Sequence, residues 1–304
     1  MKRILRLLLA AVVLVAGCAG NGGSPPGHEI VVTTNILGDV VGNILGDTAN
    51  VRVLMKPNAD PHSFGLSAQE ADSMMSAGLI VYNGLGLEEG VARHIDSASA
   101  NGVPTVAVGD HVDPIKFASG DSKGQPDPHF WTDPQRMLAG VDAVVAAVRE
   151  RIPGIDIARV TANAESYSED LHKLSDWMTE RFGAIPVERR KLVTNHHVLG
   201  YLAQRFGFTV IGTVVPSGTT LASPSSSDLD SLAGAIRSAG VPAIFVDSSH
   251  PDRLSRVLAD EAGVDVDVAE LYSESLDEPG TSGATYLDMM RFNTDTIVAG
   301  LTAR

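Results

Sequence analysis

The chain has 304 residues, one cysteine and a formal charge of −14, from 23 basic and 37 acidic side chains. An acidic balance of that size excludes a nucleic-acid-binding surface, and a lone thiol excludes an intrachain disulfide. The length allows one large or two small domains, with enough chain for a sizeable core.

In chain order, MKRILRLLLAAVVLVAGC places Lys2, Arg3 and Arg6 ahead of an apolar run too short to span a bilayer, the pattern of an export signal over residues 1–17. Val15-Ala16-Gly17-Cys18 resembles a bacterial lipobox, which implies cleavage before Cys18 and lipidation of its sulfur, tethering the chain to a membrane surface. Loss of residues 1–17 removes three basic and no acidic side chains, so the formal charge moves from −14 to −17. Residues 18–28 are rich in Gly, Ser and Pro and read as a flexible tether, with His28 a solvated linker residue.

From residue 29 short β-branched runs alternate with amphipathic ones. EIVVTTN, VRVLMKP, LIVYNG and PTVAVG are predicted strands, with helical spacing after the first and third. Residues 116–128 form a polar loop. Asp133-Pro134 then offers a cap and a first-turn proline for a helix ending at Ile152-Pro153-Gly154. A longer helix over about 156–183 carries Val160, Ala164, Tyr167, Leu171, Leu174 and Met178 on one stripe and is about 40 Å long at 1.5 Å per residue. Beyond Ile185-Pro186 the alternation restarts with KLVTN, FTVIGTVVP, AIFVDS and VDVAELY, and a helix over residues 285–303 closes the chain. The expected fold is α/β: two similar lobes, 29–155 and 184–304, joined by one long helix, with ligands gathering beyond the carboxyl ends of the strands.

Two Asp-Pro-His triplets stand out, at Asp60-Pro61-His62 and Asp127-Pro128-His129. Proline restricts its own φ and that of the residue before it, so each imidazole is presented from a stiff, non-helical backbone suited to metal ligation. Asp60 and Asp127 are candidate acceptors for the far ring nitrogens. His196 lies beyond the strand KLVTN, with His197 beside it. Asp277 sits in the loop after VDVAELY, and Glu270, Glu274 and Glu278 are rival carboxylates in the same region. His94, His111, His172 and His250 are read as solvated or capping residues.

PNADPHSF, PDPHFWTDP, NHHVLGYLAQRFGF and ESLDEPGTSGATYLDMMRFN are similar to four signature regions of the TroA-like zinc- or manganese-binding receptors of bacterial ABC importers. This resemblance covers nearly the whole mature chain. It implies a metal held in the cleft between the two lobes by one ligand from each region: His62, His129, His196 and Asp277. It also implies an extracytoplasmic, lipid-anchored monomer that hands its metal to a permease with its ATPase, with a metal chaperone as a further partner, and no enzymatic activity.

Three imidazoles with one carboxylate favour Zn²⁺, whereas a manganese site takes more oxygen; Mn²⁺ is the alternative. A zinc-dependent hydrolase would use the same histidines, but H-E-x-x-H and a reserved general base are missing; a surface adhesin is demanded by nothing in the residues. Residues 116–126 contain no histidine, unlike the His-rich loop of many relatives. Imidazole protonation predicts that affinity weakens below about pH 6.5.

Overall fold

The computed structural model describes residues 29–262 and 266–302. The export signal, Cys18 and the tether expected over residues 1–28 lie outside the described residues. The N-terminal half builds a parallel sheet in the order β2-β1-β3-β4, from β1 (Glu29–Val32), β2 (Asn50–Val53), β3 (Leu79–Tyr82) and β4 (Thr105–Ala107). The C-terminal half repeats that order as β6-β5-β7-β8, from β5 (Lys191–Thr194), β6 (Thr209–Thr213), β7 (Ala243–Asp247) and β8 (Asp267–Leu271). Each strand arises from one of the eight runs read from the sequence. The shared order makes the lobes alike in topology although their sequences do not repeat.

Helices α1 (Asn35–Leu45), α2 (Ala68–Met75), α3 (Ala92–Ala100) and α4 (Pro134–Arg151) belong to the first half; α6 (Gly200–Phe206), α7 (Ser226–Ala239) and α8 (Arg253–Ala262) belong to the second. The α4 start follows the expected chemistry, Asp133 accepting from the Gln135 N–H with Pro134 in the first turn. Helix α2 is an addition to the sequence reading. Its signal was Ser67 followed by Glu70, which form a reciprocal capping box.

Between the halves runs α5 (Ile157–Gly183), 27 residues, burying Val160, Ala164, Tyr167, Leu171, Leu174, Met178 and Phe182. It packs along α4 and α1, and at its far end Phe182 meets Phe206 and Phe208 with ring centroids 5.0 Å apart in each pair. The last helix, α9 (Tyr286–Thr302), also bridges the halves. Tyr286 N–H donates to Asp39 of α1 at 3.0 Å, and the helix then packs on α5, β7 and β8. One apolar core therefore runs from Ile30 and Val32 through Tyr167 and Phe182 to Phe245 and Leu301. Two helices crossing in one packed core resist a wide hinge. None of the helices among the described residues is long and apolar enough to cross a membrane.

Residues 116–128 do more than deliver the chain to His129. Phe117 and Gln125 pair backbone to backbone, and the tip leans on the other lobe: Asp121 N–H donates to Pro216 O at 2.8 Å and Gly218 N–H to Ser122 Oγ at 2.9 Å. Gly120, at φ +71°, approaches the Pro216 carbonyl so closely that a Cβ there would stand 2.4 Å from its oxygen. The segment is a strap from the first lobe to the second.

Candidate metal centre

The carboxyl ends of both sheets face each other across the cleft, and the loops leaving them carry the site. In the first lobe, Asp60 Oδ1 accepts from the His62 backbone N–H at 2.9 Å, closing a tight turn, and Ser63 Oγ donates to Oδ2 at 2.7 Å. The second Asp-Pro-His makes the same turn, with Asp127 Oδ1 2.9 Å from the His129 backbone nitrogen. There the carboxylate also meets the ring, Oδ1 lying 2.8 Å from Nδ1. His196 stands two residues past β5. Glu274 stands three residues past β8, and the backbone N–H groups of Ser273 and Glu274 both donate to Asp247 Oδ2 at 3.0 Å. Asp247 closes β7 and is itself buried, so one carboxylate fixes where the Glu274 loop leaves the sheet.

The side chains of His62, His129, His196 and Glu274 converge with one ligand atom from each within 4.8 Å of the others, and all four residues are buried. They are the one such His, Cys, Asp and Glu group among the described residues. The His62 and His129 Nε2 atoms are 3.5 Å apart. Glu274 Oε1 lies 3.1 Å from His196 Nε2 and 3.6 Å from His129 Nε2, while Oε2 lies 3.8 Å from His62 Nε2.

Asp277 does not join them, which corrects the sequence expectation. Its Oδ1 accepts from the Asn58 side chain and from the Glu278 backbone N–H, and its own N–H donates to Gly283 O at 2.9 Å, closing a surface loop. The chain has by then turned out of the cleft. In the sequence Glu274 is one of three rival carboxylates. Its closeness to the end of VDVAELY, two residues on where His196 is one residue past KLVTN, is the signal that distinguishes it.

His197 likewise stays outside: its ring packs beside Phe117 at 6.1 Å while His196 points inward. The expected acceptor roles divide as well. Asp127 does hold the His129 ring, but Asp60 holds only the His62 backbone, and the carboxylate nearest His62 Nδ1 is Glu89, at 3.7 Å. His94, His111 and His172 are exposed, whereas His250, read as a capping or solvated residue, is held between two carboxylates.

Buried polar atoms are nearly always hydrogen-bonded, because leaving one unpaired costs about 1–3 kcal/mol. Here both Glu274 oxygens, both His196 ring nitrogens and His62 Nδ1 are buried without a hydrogen-bond partner among the described residues. Electrostatics follows. Burial pushes His129 well below the ordinary imidazole value, His62 down to about 2 and His196 down to about 4, so all three are neutral at pH 7 with lone pairs to offer. Burial, with the charges of Asp247 and Asp60 behind it, pushes Glu274 well above the carboxylate range. Asp127 is raised by burial to about 7. A divalent cation resolves all of this together, taking the unspent lone pairs and restoring the carboxylate charge.

The donor set, its depth and its position between lobes fit a metal-capturing cleft, and the comparisons agree. The family model of ZnuA, described as zinc-uptake complex component A, periplasmic, matches residues 30–300. The chain belongs to this family. Its members are extracytoplasmic metal-binding receptors of ABC importers, substrate-binding proteins and not enzymes.

Among relatives, the zinc-binding protein TroA of Treponema pallidum is 32% identical over 280 residues, 90% of this chain and 89% of that protein. The manganese-binding lipoprotein MntA of Halalkalibacterium halodurans is 28% identical over 300 residues, 97% of each. The solved structure of periplasmic TroA from Treponema pallidum has a TM-score of 0.83 at 31% identity, covering 91% of this chain and 99% of that one.

Asp127→Asn should weaken metal binding by about 10- to 100-fold without unfolding the chain. The amide oxygen still accepts from the His129 ring but brings no charge to balance the cation. Competition against a metal-sensitive dye reads the change.

Proposed function

We propose that the chain captures Zn²⁺ outside the cytoplasm and delivers it to the permease of an ABC importer, with His62, His129, His196 and Glu274 as its four ligands. The observation that carries this reading is the convergence of three neutral imidazoles and one buried carboxylate, with both Glu274 oxygens and both His196 ring nitrogens otherwise unpartnered, on a space the size of a single ion. Four donors of that kind suit tetrahedral zinc. In this reading residues 1–17 are the export signal, lipidated Cys18 is the anchor and residues 18–28 are the tether. The lobes 29–155 and 184–304 close on the metal, with residues 156–183 as the strut that limits closure to local loop movement.

Manganese is the second reading, favoured by one feature. Both Glu274 oxygens are turned toward imidazoles, so bidentate ligation raises the oxygen share of the site. The relative MntA, by its name, binds manganese.

The test is to strip residues 29–304 with chelator and titrate with each metal in competition. One tight Zn²⁺ per chain, displaced only by a large excess of Mn²⁺, is expected. Preference for Mn²⁺ moves the cargo to the second reading, and no tight site for either overturns the receptor.

The pH dependence differs in origin from that expected of imidazoles alone. With His196 at about 4 and His62 at about 2, protons on these rings do not compete near neutrality. The competing proton is on Glu274, raised well above the usual range, joined by the one Asp127 shares near pH 7. Cation binding needs the ionised carboxylate, so affinity rises with pH through neutrality by roughly tenfold per unit for each proton displaced. Calorimetry at pH 7.5 in buffers of differing ionisation enthalpy should find about one proton released per metal bound. A value of zero contradicts this assignment.

A further inference from the structure

His250 lies outside the ligand set, yet it touches the supports of two ligands from opposite lobes. Its Nε2 is 3.5 Å from Asp60 Oδ2, on the turn that presents His62. Its Nδ1 is 2.9 Å from Ser249 Oγ and 3.4 Å from Asp247 Oδ1, the carboxylate whose other oxygen anchors the backbone of Ser273 and Glu274. We propose that His250 is a cross-cleft tie that fixes the spacing between the His62 and Glu274 loops and thereby slows release of the bound metal. This rests on the metal-receptor reading and adds a positioning residue to it.

Geometry and charge agree on the role. Each ring nitrogen faces a carboxylate, an arrangement in which the doubly protonated ring donates on both sides. Hydrogen bonds to Asp247 and Asp60 raise His250 to about 10, so it is cationic at neutral pH. Both carboxylates are saturated with donors: Asp60 accepts from the His62 N–H and from the hydroxyls of Ser63 and Thr220, and Asp247 accepts from the Ser273 hydroxyl and from the N–H groups of Ser249, Ser273 and Glu274. Thr220, from the second lobe, donates to Asp60 Oδ2 at 2.8 Å and is a neutral companion to the tie. A cation joining two carboxylates that each fix a ligand loop holds the donor atoms at one separation. The ring is 29% exposed, so it can be substituted without opening the core.

The test compares metal dissociation from the wild-type chain, His250→Gln and His250→Lys, using stopped-flow transfer of Zn²⁺ to a chelating dye, with melting of the metal-free proteins alongside. The expected result is about tenfold faster release and weaker binding in His250→Gln, with His250→Lys closer to wild type because it restores a cation. A merely structural role lowers the melting temperature and leaves the release rate of the folded protein unchanged. Release from His250→Gln within twofold of wild type overturns the tie, as does equal impairment in both variants. Nitrogen NMR of the wild-type chain gives a check that needs no variant: a neutral His250 ring at pH 8 overturns the proposal, and an imidazolium supports it. If the wild-type chain binds no metal, the receptor reading fails and the tie with it; if the wild type binds and the variants release alike, only the tie fails.

Discussion

Glu274→Gln should reduce zinc affinity by at least about 100-fold, while Asp277→Asn leaves it within about threefold. The magnitude follows from dividing the roughly 10–16 kcal/mol of a four-ligand zinc site among its ligands, about 3 kcal/mol for each. Glu274 also supplies the one negative charge among the four donors. Its replacement by an amide removes charge without changing shape, so the metal-free fold is kept. Asp277 engages Asn58 and the Glu278 N–H at the rim, and Asn at that position loses only surface hydrogen-bond strength. Competition titration against a zinc dye distinguishes the two carboxylates. Equal losses, or a loss only in Asp277→Asn, would return the fourth ligand to the position that the sequence first suggested.

The second large effect is on stability. A cation that is held by the folded cleft and by nothing comparable in the unfolded chain adds about 4 kcal/mol when it is free at about 1,000 times its dissociation constant, and this increment is expected with zinc. For a chain of this size that is a rise in melting temperature on the order of 10 °C. Glu274→Gln should lose nearly all of the increment. Its metal-free melting temperature should stay close to that of wild type, because the amide has the shape of the buried carboxyl group and, like it, has no hydrogen-bond partner there in the absence of a cation. Scanning calorimetry with chelator and with zinc measures both. A metal-free variant clearly less stable than metal-free wild type would mean that Glu274 has a structural partner apart from the cation.

Local chemistry wrote much of the fold into the chain. The eight β-branched runs became the eight strands of two sheets, the periodic stripe from Val160 to Met178 became the buried face of α5, and Asp133-Pro134 opened α4. These signals depend on neighbours within a few residues, which is why they are legible without a structure. The two Asp-Pro-His turns belong to the same class, since the turn that aims each imidazole is closed by an aspartate two residues earlier.

The sequence by itself thus determined the two α/β lobes, the strut between them and three of the four converging side chains. Only the tertiary structure decided the fourth. Glu274 and Asp277 are three residues apart in one polar loop, and nothing local separates them except distance from the strand end. The choice is made by Asp247, from a different strand, which holds the Ser273 and Glu274 backbone and turns that carboxylate inward before the chain leaves the cleft. The role of His250 was hidden for the same reason. Its two carboxylate partners come from opposite lobes, Asp60 lying 190 residues away in the chain, and contacts at that separation exist only once both lobes have packed on α5 and α9.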